Sequence, residues 1–530
     1  MRITLVFPPR TGPTYMPLGV ACLAAVASSQ KIAIDQFDAN LELWNSLCDD
    51  NAFLGAMRTF ARGPLDGFLD PGAYAANMSY MGEGVRRIDE LEQLGRQYLA
   101  GNGLGTELSA LLARHGQRIL RDDPEIVGFS VMYLDQLLFV LAQAKYLHEE
   151  LSAPCRIVLG GAAMSALDPV ELLQAAPWIG GVIVGEGEVP FAALLAGQTL
   201  GQIPGCYYRD GAGVVSTGNP ESLDDLSTLA MPDFSVLADG GYFNPVPVLS
   251  IYGCRGCKWR RCRFCSHNQS FGRHRQRPPL TVALEMLARQ NSYGCRHFYF
   301  VDQYVDPIYL DALSDAILAM KLDCRFQIMA RTIADYTPAL LAKAARAGCC
   351  WISWGMESGS QRLLTLMNKG TEAEASFAVL KNASAVGISN LLMMIFGAPG
   401  SDDRALDDTF SFLDRSWPYV DGMTASAFVL FAETDYGRHP EKYGLEVIGT
   451  NTIVDVGGRP IHDMKLRFRR EGEDGRAESP LAAREIDLWE RRRAWLPPLP
   501  FHGRLCCEHY LLYADALQAK PRPGKRDHCA

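Results

Sequence analysis

Short apolar runs of β type alternate with helical patterns along the first third of the chain. Ile3-Thr-Leu-Val-Phe7 is followed by Pro17-Leu-Gly19 and an apolar helical stretch at 20–27, then by an apolar run at 32–37 that closes on Asp38. A further group comprises Ile126-Val-Gly-Phe-Ser130, a helical pattern through Tyr146, Arg156-Ile-Val-Leu-Gly-Gly161, a helix from about Asp168, and Gly181-Val-Ile-Val-Gly185. This βαβ alternation predicts a parallel, doubly wound, Rossmann-like sheet. Ligands of such sheets sit at the carboxyl ends of the strands. Gly160-Gly161 and Gly185-Glu186-Gly187-Glu188 stand at two of those ends, where missing side chains let a backbone approach a bulky ligand. Similar turns occur in sheets that bind nothing.

Residues 48–120 lack a strand pattern and read as a helical insertion, a lid or a substrate-facing element. From 201 to 247 the chain is rich in Gly, Pro and Asp, with a short hairpin near Cys206, and reads as a connecting segment. A second βα series starts at Val248-Leu-Ser-Ile-Tyr252 and continues with His297-Phe-Tyr-Phe-Val301, runs at 325–330, Cys350-Trp-Ile-Ser-Trp354, and runs at 391–396 and 425–430. Helical patterns at 280–290, 338–347 and 372–386 fall between them. Six βα steps predict an open (β/α)6 unit of TIM type rather than a closed eight-fold barrel. The expected organisation is a first α/β domain over 1–200, the connection 201–247, the partial barrel 248–445, and a small C-terminal region 446–530 with a mobile last dozen residues.

Composition narrows the functional classes. The chain has 530 residues, 48% hydrophobic and 21% charged, with 30 Pro and 49 Gly, an ordinary globular balance. Its 51 Lys plus Arg against 60 Asp plus Glu give a net charge of -9, which offers no general attraction to nucleic acid or anionic lipid. The apolar start is too short for a secretory core, and no run approaches the roughly 18 residues of a membrane span. A cytoplasmic protein without a nucleic-acid or membrane partner is expected.

Fifteen cysteines are many for such a chain. In a reducing compartment they are free, catalytic or metal-bound. Cys254, Cys257, Cys262 and Cys265 cluster in Tyr252-Gly-Cys-Arg-Gly-Cys-Lys-Trp-Arg-Arg-Cys-Arg-Phe-Cys-Ser-His-Asn268. Four thiolates can close a tetrahedral zinc site, although four residues between Cys257 and Cys262 crowd that geometry. Three thiolates can instead hold an iron–sulfur cluster with one iron open to an external ligand. Arg255, Lys258, Arg260, Arg261 and Arg263 add positive charge, which favours the thiolate form.

The cysteine loop after the first strand of a βα series, followed by Tyr299-Phe-Val-Asp302-Gln303, Ala330-Arg331, Trp354-Gly-Met-Glu-Ser-Gly-Ser360, Asn368-Lys-Gly370 and Phe396-Gly-Ala-Pro-Gly400, resembles the radical S-adenosylmethionine (radical SAM) superfamily over about 248–445. The resemblance implies a [4Fe–4S] cluster on three cysteines, with the amine and carboxylate of S-adenosylmethionine on the fourth iron. The chain departs from the common Cys-x3-Cys-x2-Cys spacing. Cys254, Cys262 and Cys265 form the favoured trio, because Gly253-Cys254 directly follows the strand, and the x7 spacing resembles a cobalamin-dependent branch acting on ribosomally made peptides. Cys257-x4-Cys262-x2-Cys265 is the competing set.

By position, the resemblance implies Arg331 for the carboxylate of S-adenosylmethionine, with a structural ion pair as the alternative. It implies Asp302 and Gln303 for the amine, Glu357 and Ser358 for the ribose and methionine side, and Ile395 beside adenine. Phe264 and Phe428 either flank the adenine or pack in the core.

The N-terminal third resembles the cobalamin-binding domain fused to many members. Pro17, Gly19, Ser130, Gly160, Gly161, Gly185, Glu186 and Gly187 stand at the corresponding positions. The Asp-x-His-x-x-Gly motif is absent and the first histidine is His115, so the lower cobalt face is expected to meet Met132, Tyr133 or Leu134. A Rossmann-like domain that has lost its cofactor is the alternative. Together the resemblances imply methylation of an unactivated carbon, with methylcobalamin as donor, a peptide or small-molecule substrate, and flavodoxin or ferredoxin as electron donor. Rearrangement, cyclisation or oxidation with the same cofactors is the rival, and a zinc-stabilised binding protein a more distant one.

Overall fold

The computed structural model describes the chain except residues 212, 239, 268–271, 471–479, 502, 504–505 and 520–530. Asn268, Cys529 and the tail expected to be mobile lie outside the described residues. The chain divides into two compact units, Met1–Val246 with Asn451–Met464, and Pro247–Thr450 with Lys465–Ala530.

The first unit is built on β1 (Ile3–Phe7), β2 (Asp35–Asp38), β3 (Ile126–Ser130), β4 (Arg156–Gly160), β5 (Gly181–Ile183), β6 (Cys206–Asp210) and β7 (Gly213–Ser216), in the order β2-β1-β3-β4-β5-β6-β7. The first five are parallel, while β6 and β7 pair antiparallel at one edge. All five residues of β1 are buried, as a strand covered on both faces requires. The chain order reverses between β1 and β3, which makes the carboxyl ends of these strands the switch point where such sheets bind ligands.

The segment 201–247 is therefore not a free connection: its hairpin extends this sheet. The expected insertion is helical, with helices at Ala52–Ala61, Leu65–Leu69, Pro71–Met78, Met81–Leu99 and Thr106–Ile119. In Met81–Leu99 the buried residues Gly84, Ile88, Leu91, Gly95 and Tyr98 recur at helical spacing. Gly84 is required there, since a Cβ would lie 2.2 Å from the Trp44 ring. Val454, Val456 and Ile461, from the tip of a late hairpin, join the core formed around Val127, Leu159 and Val182.

The second unit carries the parallel sheet β15-β14-β13-β12-β11-β8: β8 (Val248–Ile251), β11 (His297–Phe300), β12 (Arg325–Arg331), β13 (Cys349–Glu357), β14 (Ser389–Phe396) and β15 (Gly422–Ala427). The sixth strand starts three residues before the expected run, and Leu430 belongs instead to the short β16 (Leu430–Phe431). The pair β9 (Cys254–Arg255) and β10 (Arg275–Gln276) frames the cysteine loop.

Every residue of β13 is buried, Cys349 and Cys350 included, so these two cysteines are core. Among the crossover helices, Pro307–Ala319 starts on Asp306, whose Oδ1 accepts from the backbone N–H groups of Ile308 and Tyr309. Beyond the sheet, β17 (Leu445–Val456) and β18 (Arg459–Arg470) form a long hairpin within the expected C-terminal region, and β18 pairs with β16.

The helix Cys507–Ala519 packs against the starts of the strands. Asp515 accepts from Arg325 Nε at 2.7 Å and lies 3.0 Å from His297 Nε2, and Gln518 donates to the Cys349 carbonyl. Trp351 meets Phe501 and Tyr510 edge-on nearby. This end of the sheet is closed by packing, leaving chemistry to the opposite, carboxyl ends. Among the described residues no helix is long and apolar enough to cross a membrane.

Candidate functional site

In the second unit the cysteine loop leaves the carboxyl end of β8 and is held from below by the end of β11. Both oxygens of Asp302 accept from the Gly253 N–H at 3.0 Å, and Oδ1 accepts from the Cys254 N–H at 2.5 Å. Gln303 Oε1 accepts from the Gly256 N–H at 3.0 Å. Both carboxylate oxygens of Asp302 and the side-chain oxygen of Gln303 are thus engaged by the loop. Burial pushes the Asp302 carboxyl up to about 6 against the hydrogen bonds that hold it down.

The four cysteines differ in their surroundings. Cys254 is buried and its thiol donates to the Tyr304 carbonyl across 3.4 Å. Burial first, and the Asp302 carboxylate second, push that thiol far above the ordinary range. Cys257, Cys262 and Cys265 are only partly buried. Burial raises Cys262 to about 11, with Lys369 as the largest opposing influence, and burial also raises Cys265. Among the described residues no three His, Cys, Asp or Glu side chains are gathered tightly enough to hold a metal, so the loop offers donors rather than a preformed coordination site.

The second support of the loop comes from a segment about a hundred residues later. Trp259 Nε1 donates to the Asn368 carbonyl at 2.9 Å, and Asn368 Nδ2 donates to the Arg261 carbonyl at 2.9 Å. The Arg263 N–H donates to the Met367 carbonyl at 3.0 Å, and its guanidinium to the Leu366 carbonyl at 2.8 Å. Asn368 holds a left-handed φ of 51°, a conformation asparagine tolerates better than most residues. The motif Asn368-Lys-Gly370, to which sequence reasoning attached no role, is the clamp of the cysteine loop.

Arg331, at the end of β12, is buried and donates to the carbonyls of Lys369 and Gly370 at 2.5 and 2.8 Å. Its guanidinium lies 4.2 Å from the centre of the Trp259 ring, and its Nε is buried without a hydrogen-bond partner. The arrangement is a stacked, carbonyl-bound guanidinium rather than the alternative ion pair. Glu357 ends β13 with a left-handed φ of 65°, beside a register shift against β14, and its Oε1 lies 2.6 Å from Lys369 Nζ.

Ser358 is buried and shares a 2.9 Å hydrogen bond with Thr409, which fixes the turn after β13 to the helix Asp403–Ser416. Ile395 and Phe264 pack against a buried cluster containing Phe428, Tyr436 and Phe468. Phe428 makes edge contacts with Tyr436 and Phe468, which places it in the core.

In the first unit the carboxyl ends of β1, β3, β4 and β5 form a glycine-lined edge above a largely apolar cavity bordered by Leu5, Gly128, Gly160, Gly161, Gly187 and Phe191. Gly161 has a φ of 100°, and a Cβ there would lie 2.4 Å from the Val131 carbonyl oxygen. A Cβ on Gly19 would approach Ser130 Oγ to 3.1 Å, and one on Gly185, at φ 89°, would meet Pro220 at 2.9 Å. Pro17 precedes the helix Leu18–Ser29, which exposes Gly19 in its first turn. Glu186 is buried and accepts from the Leu223 N–H at 3.2 Å.

The loop after β3 is organised by Gln136, which sequence reasoning missed. Its Oε1 accepts from the N–H groups of Met132 and Tyr133 at 2.8 and 3.1 Å, and its Nε2 donates to the Pro8 carbonyl at 2.7 Å. Tyr133 is left exposed and Leu134 partly so. His115 is buried with Nε2 2.5 Å from the Glu42 carboxylate, and burial lowers its basicity against that partner.

Residues 251–413 match the Radical SAM superfamily. The chain is 26% identical over 311 residues to an uncharacterized methyltransferase of Pyrococcus horikoshii, covering 56% of this chain and 65% of that one. It is 23% identical over 359 residues to the 4'-phospho-dehydrooxetanocin synthase of Priestia megaterium, covering 61% and 47%. The chain thus spans between about half and two thirds of the length of these curated relatives. Its fold is similar to that of the radical S-adenosylmethionine methyltransferase TsrM from Kitasatospora setae, solved with cobalamin and a [4Fe-4S] cluster bound. The TM-score is 0.59 at 16% identity, over 94% of this chain and 90% of that one.

Proposed function

We propose, from the premise that this chain is a radical SAM superfamily protein over residues 251–413, that it is a cobalamin-dependent methyltransferase acting on an unactivated carbon. The observation that carries this is the loop with three partly buried thiols, Cys257, Cys262 and Cys265, clamped beside the buried Lys369 and Glu357. The donor set fits a cluster: three sulfurs on one loop, with a cation beside them that favours thiolates.

Cys257 is preferred over Cys254 as the third ligand. A cluster on Cys254 would need its buried sulfur to leave the hydrogen bond to the Tyr304 carbonyl. That choice removes the x7 spacing from the case for a peptide substrate. The helical segment over 52–119 still suits an extended substrate, so both a peptide and a small molecule remain in scope.

For cobalamin, the fit rests on the glycine-lined edge and the apolar cavity beneath it, bordered by Gly128, Gly160, Gly161 and Gly187. Gln136 would hold the Met132–Leu134 loop against the lower face, and His115, engaged by Glu42, is not free to ligate cobalt. When bound, the cluster with S-adenosylmethionine supplies hydrogen-atom abstraction, and cobalamin supplies the methyl group. Arg331 would receive the carboxylate of S-adenosylmethionine, Ser358 and Ile395 would border its adenosyl side, and Asp302 with Gln303 would support the loop. A flavodoxin or ferredoxin in a reducing, cytoplasmic setting would supply the electron.

The experiment is anaerobic incubation of the reconstituted full chain with S-adenosylmethionine, reductant, methylcobalamin and candidate peptides and small molecules. Formation of 5′-deoxyadenosine with a product one methyl group heavier supports the proposal. An intact cluster that never cleaves S-adenosylmethionine overturns it. A second reading, ring formation or rearrangement without methyl transfer, is favoured by the similarity to the anaerobic magnesium-protoporphyrin IX monomethyl ester cyclase of Rubrivivax gelatinosus, and S-adenosylmethionine cleavage with a product lacking the added methyl group would select it.

A further inference from the structure

The geometry points to the buried pair Glu357–Lys369 as the electrostatic setting of the iron–sulfur cluster: two opposed charges, fixed beside the cysteine loop, that offset each other's effect on its reduction potential. The inference rests on the proposed cluster at Cys257, Cys262 and Cys265. Lys369 Nζ lies 2.6 Å from Glu357 Oε1, and the two side chains are 7% and 10% exposed. The ammonium is 5.8 Å from the centre of the Phe264 ring, in the link between Cys262 and Cys265.

Several features of the backbone exist to seat this pair. Glu357 accepts a left-handed φ of 65°, strained for a glutamate, at a register shift between β13 and β14. Two residues earlier, Gly355 leaves the necessary room, since a Cβ there would sit 2.7 Å from Lys369 Nζ and 2.9 Å from Glu357 Oε1. The lysine backbone is pinned as well, its carbonyl accepting from Arg331 and its neighbour Asn368 binding the cysteine loop on two sides.

A buried ion pair of this kind is a poor stabiliser of a fold. A strained backbone and a glycine spent on it therefore indicate a use for the charges themselves. The ammonium faces the Phe264 ring between Cys262 and Cys265, which puts the positive member of the pair beside the sulfur-bearing segment. Charge and hydrogen bonding around a cluster tune its potential, and at low dielectric a fixed charge acts strongly.

The test reads one-electron uptake by the cluster from dithionite, in which no covalent bond forms or breaks. Anaerobically reconstituted full-chain protein is prepared as wild type, Lys369→Met, Glu357→Gln, the double variant and Lys369→Arg. Iron and sulfide are quantified, and the potential is read by electron paramagnetic resonance against redox dyes. Removing the cation alone is expected to shift the potential lower, and removing the anion alone to shift it higher. The double variant and Lys369→Arg should return close to wild type. Equal-signed shifts, or none, in cluster-loaded single variants overturn the inference while leaving the cluster itself standing. Should Lys369→Met fail to hold iron, Glu357→Gln decides alone, and a potential that is unchanged or lower overturns the inference. A wild-type protein that takes up no iron and sulfide overturns the proposed function instead.

Discussion

The thiol of Cys254 donates to the backbone carbonyl of Tyr304 across 3.4 Å, turned away from solvent and flanked by Asp302. Cys254 is the first cysteine after β8, yet its sulfur is engaged with the protein interior. Cys254→Ala should therefore retain close to the wild-type content of iron and sulfide after anaerobic reconstitution, with a loss of stability of about 1 kcal/mol for the missing hydrogen bond. Cys257→Ala should lose the cluster and its visible absorption. The reverse pattern would return Cys254 to the ligand set.

Asp38 accepts from Tyr242 Oη at 2.7 Å and from the Leu41 N–H at 2.8 Å, while burial pushes its carboxyl up to about 6 from an ordinary value of 3.8. Because the folded value is the higher one, the contribution to stability is fully present below pH 3.8 and is lost as pH rises through about 6. The shift corresponds to about 3 kcal/mol. Asp38→Asn should flatten the stability of the first unit between pH 4 and pH 7 by about that amount, measured by urea unfolding across the range. An unchanged slope would mean that Asp38 does not titrate there.

Gly161 sits at φ 100° with the Val131 carbonyl oxygen 2.4 Å from where a Cβ would stand. Gly161→Ala must both adopt a left-handed conformation and displace backbone, which should cost about 2 kcal/mol or more. It should also weaken cobalamin binding, followed by the change in visible absorbance on titration. Gly103→Ala, where a Cβ meets nothing, is the control.

Gln136 joins Pro8 to Met132 and Tyr133 through three hydrogen bonds and is fully buried. Gln136→Ala leaves two N–H groups and one carbonyl without that partner, at a cost of about 1–3 kcal/mol. If the loop it holds faces the lower side of cobalamin, the dissociation constant for cobalamin should rise as thermal stability falls. A stability loss with unchanged cobalamin affinity would detach this loop from the cofactor.

Much of the architecture could be read from local pattern. The strands of both parallel sheets announce themselves as short apolar runs separated by helices, and β13, buried along its whole length, is such a run. The hairpin β6–β7 was visible as well, but its membership of the first sheet was not, because an edge strand's partner is not written in its own residues. The late hairpin β17–β18 was missed: β17 is exposed along most of its length, and β18, although Met464-Lys-Leu-Arg-Phe-Arg469 alternates, lies in a stretch whose charge makes it read as a tail.

At the site, the sequence by itself determined which donors exist: four cysteines on one loop, a glutamate and a lysine in recognisable motifs, and glycines at strand ends. It could not decide where each points. Cys254 and Cys257 are three positions apart, and their different surroundings arise because Asp302 grips the loop at one place and Asn368 clamps it at another. The pairing of Glu357 with Lys369 likewise depends on a strained backbone and on the missing side chain at Gly355. Those are properties of packing between segments distant in the chain. Hydrogen bonds and steric exclusion in three dimensions decide them, and periodicity along one dimension carries no record of either.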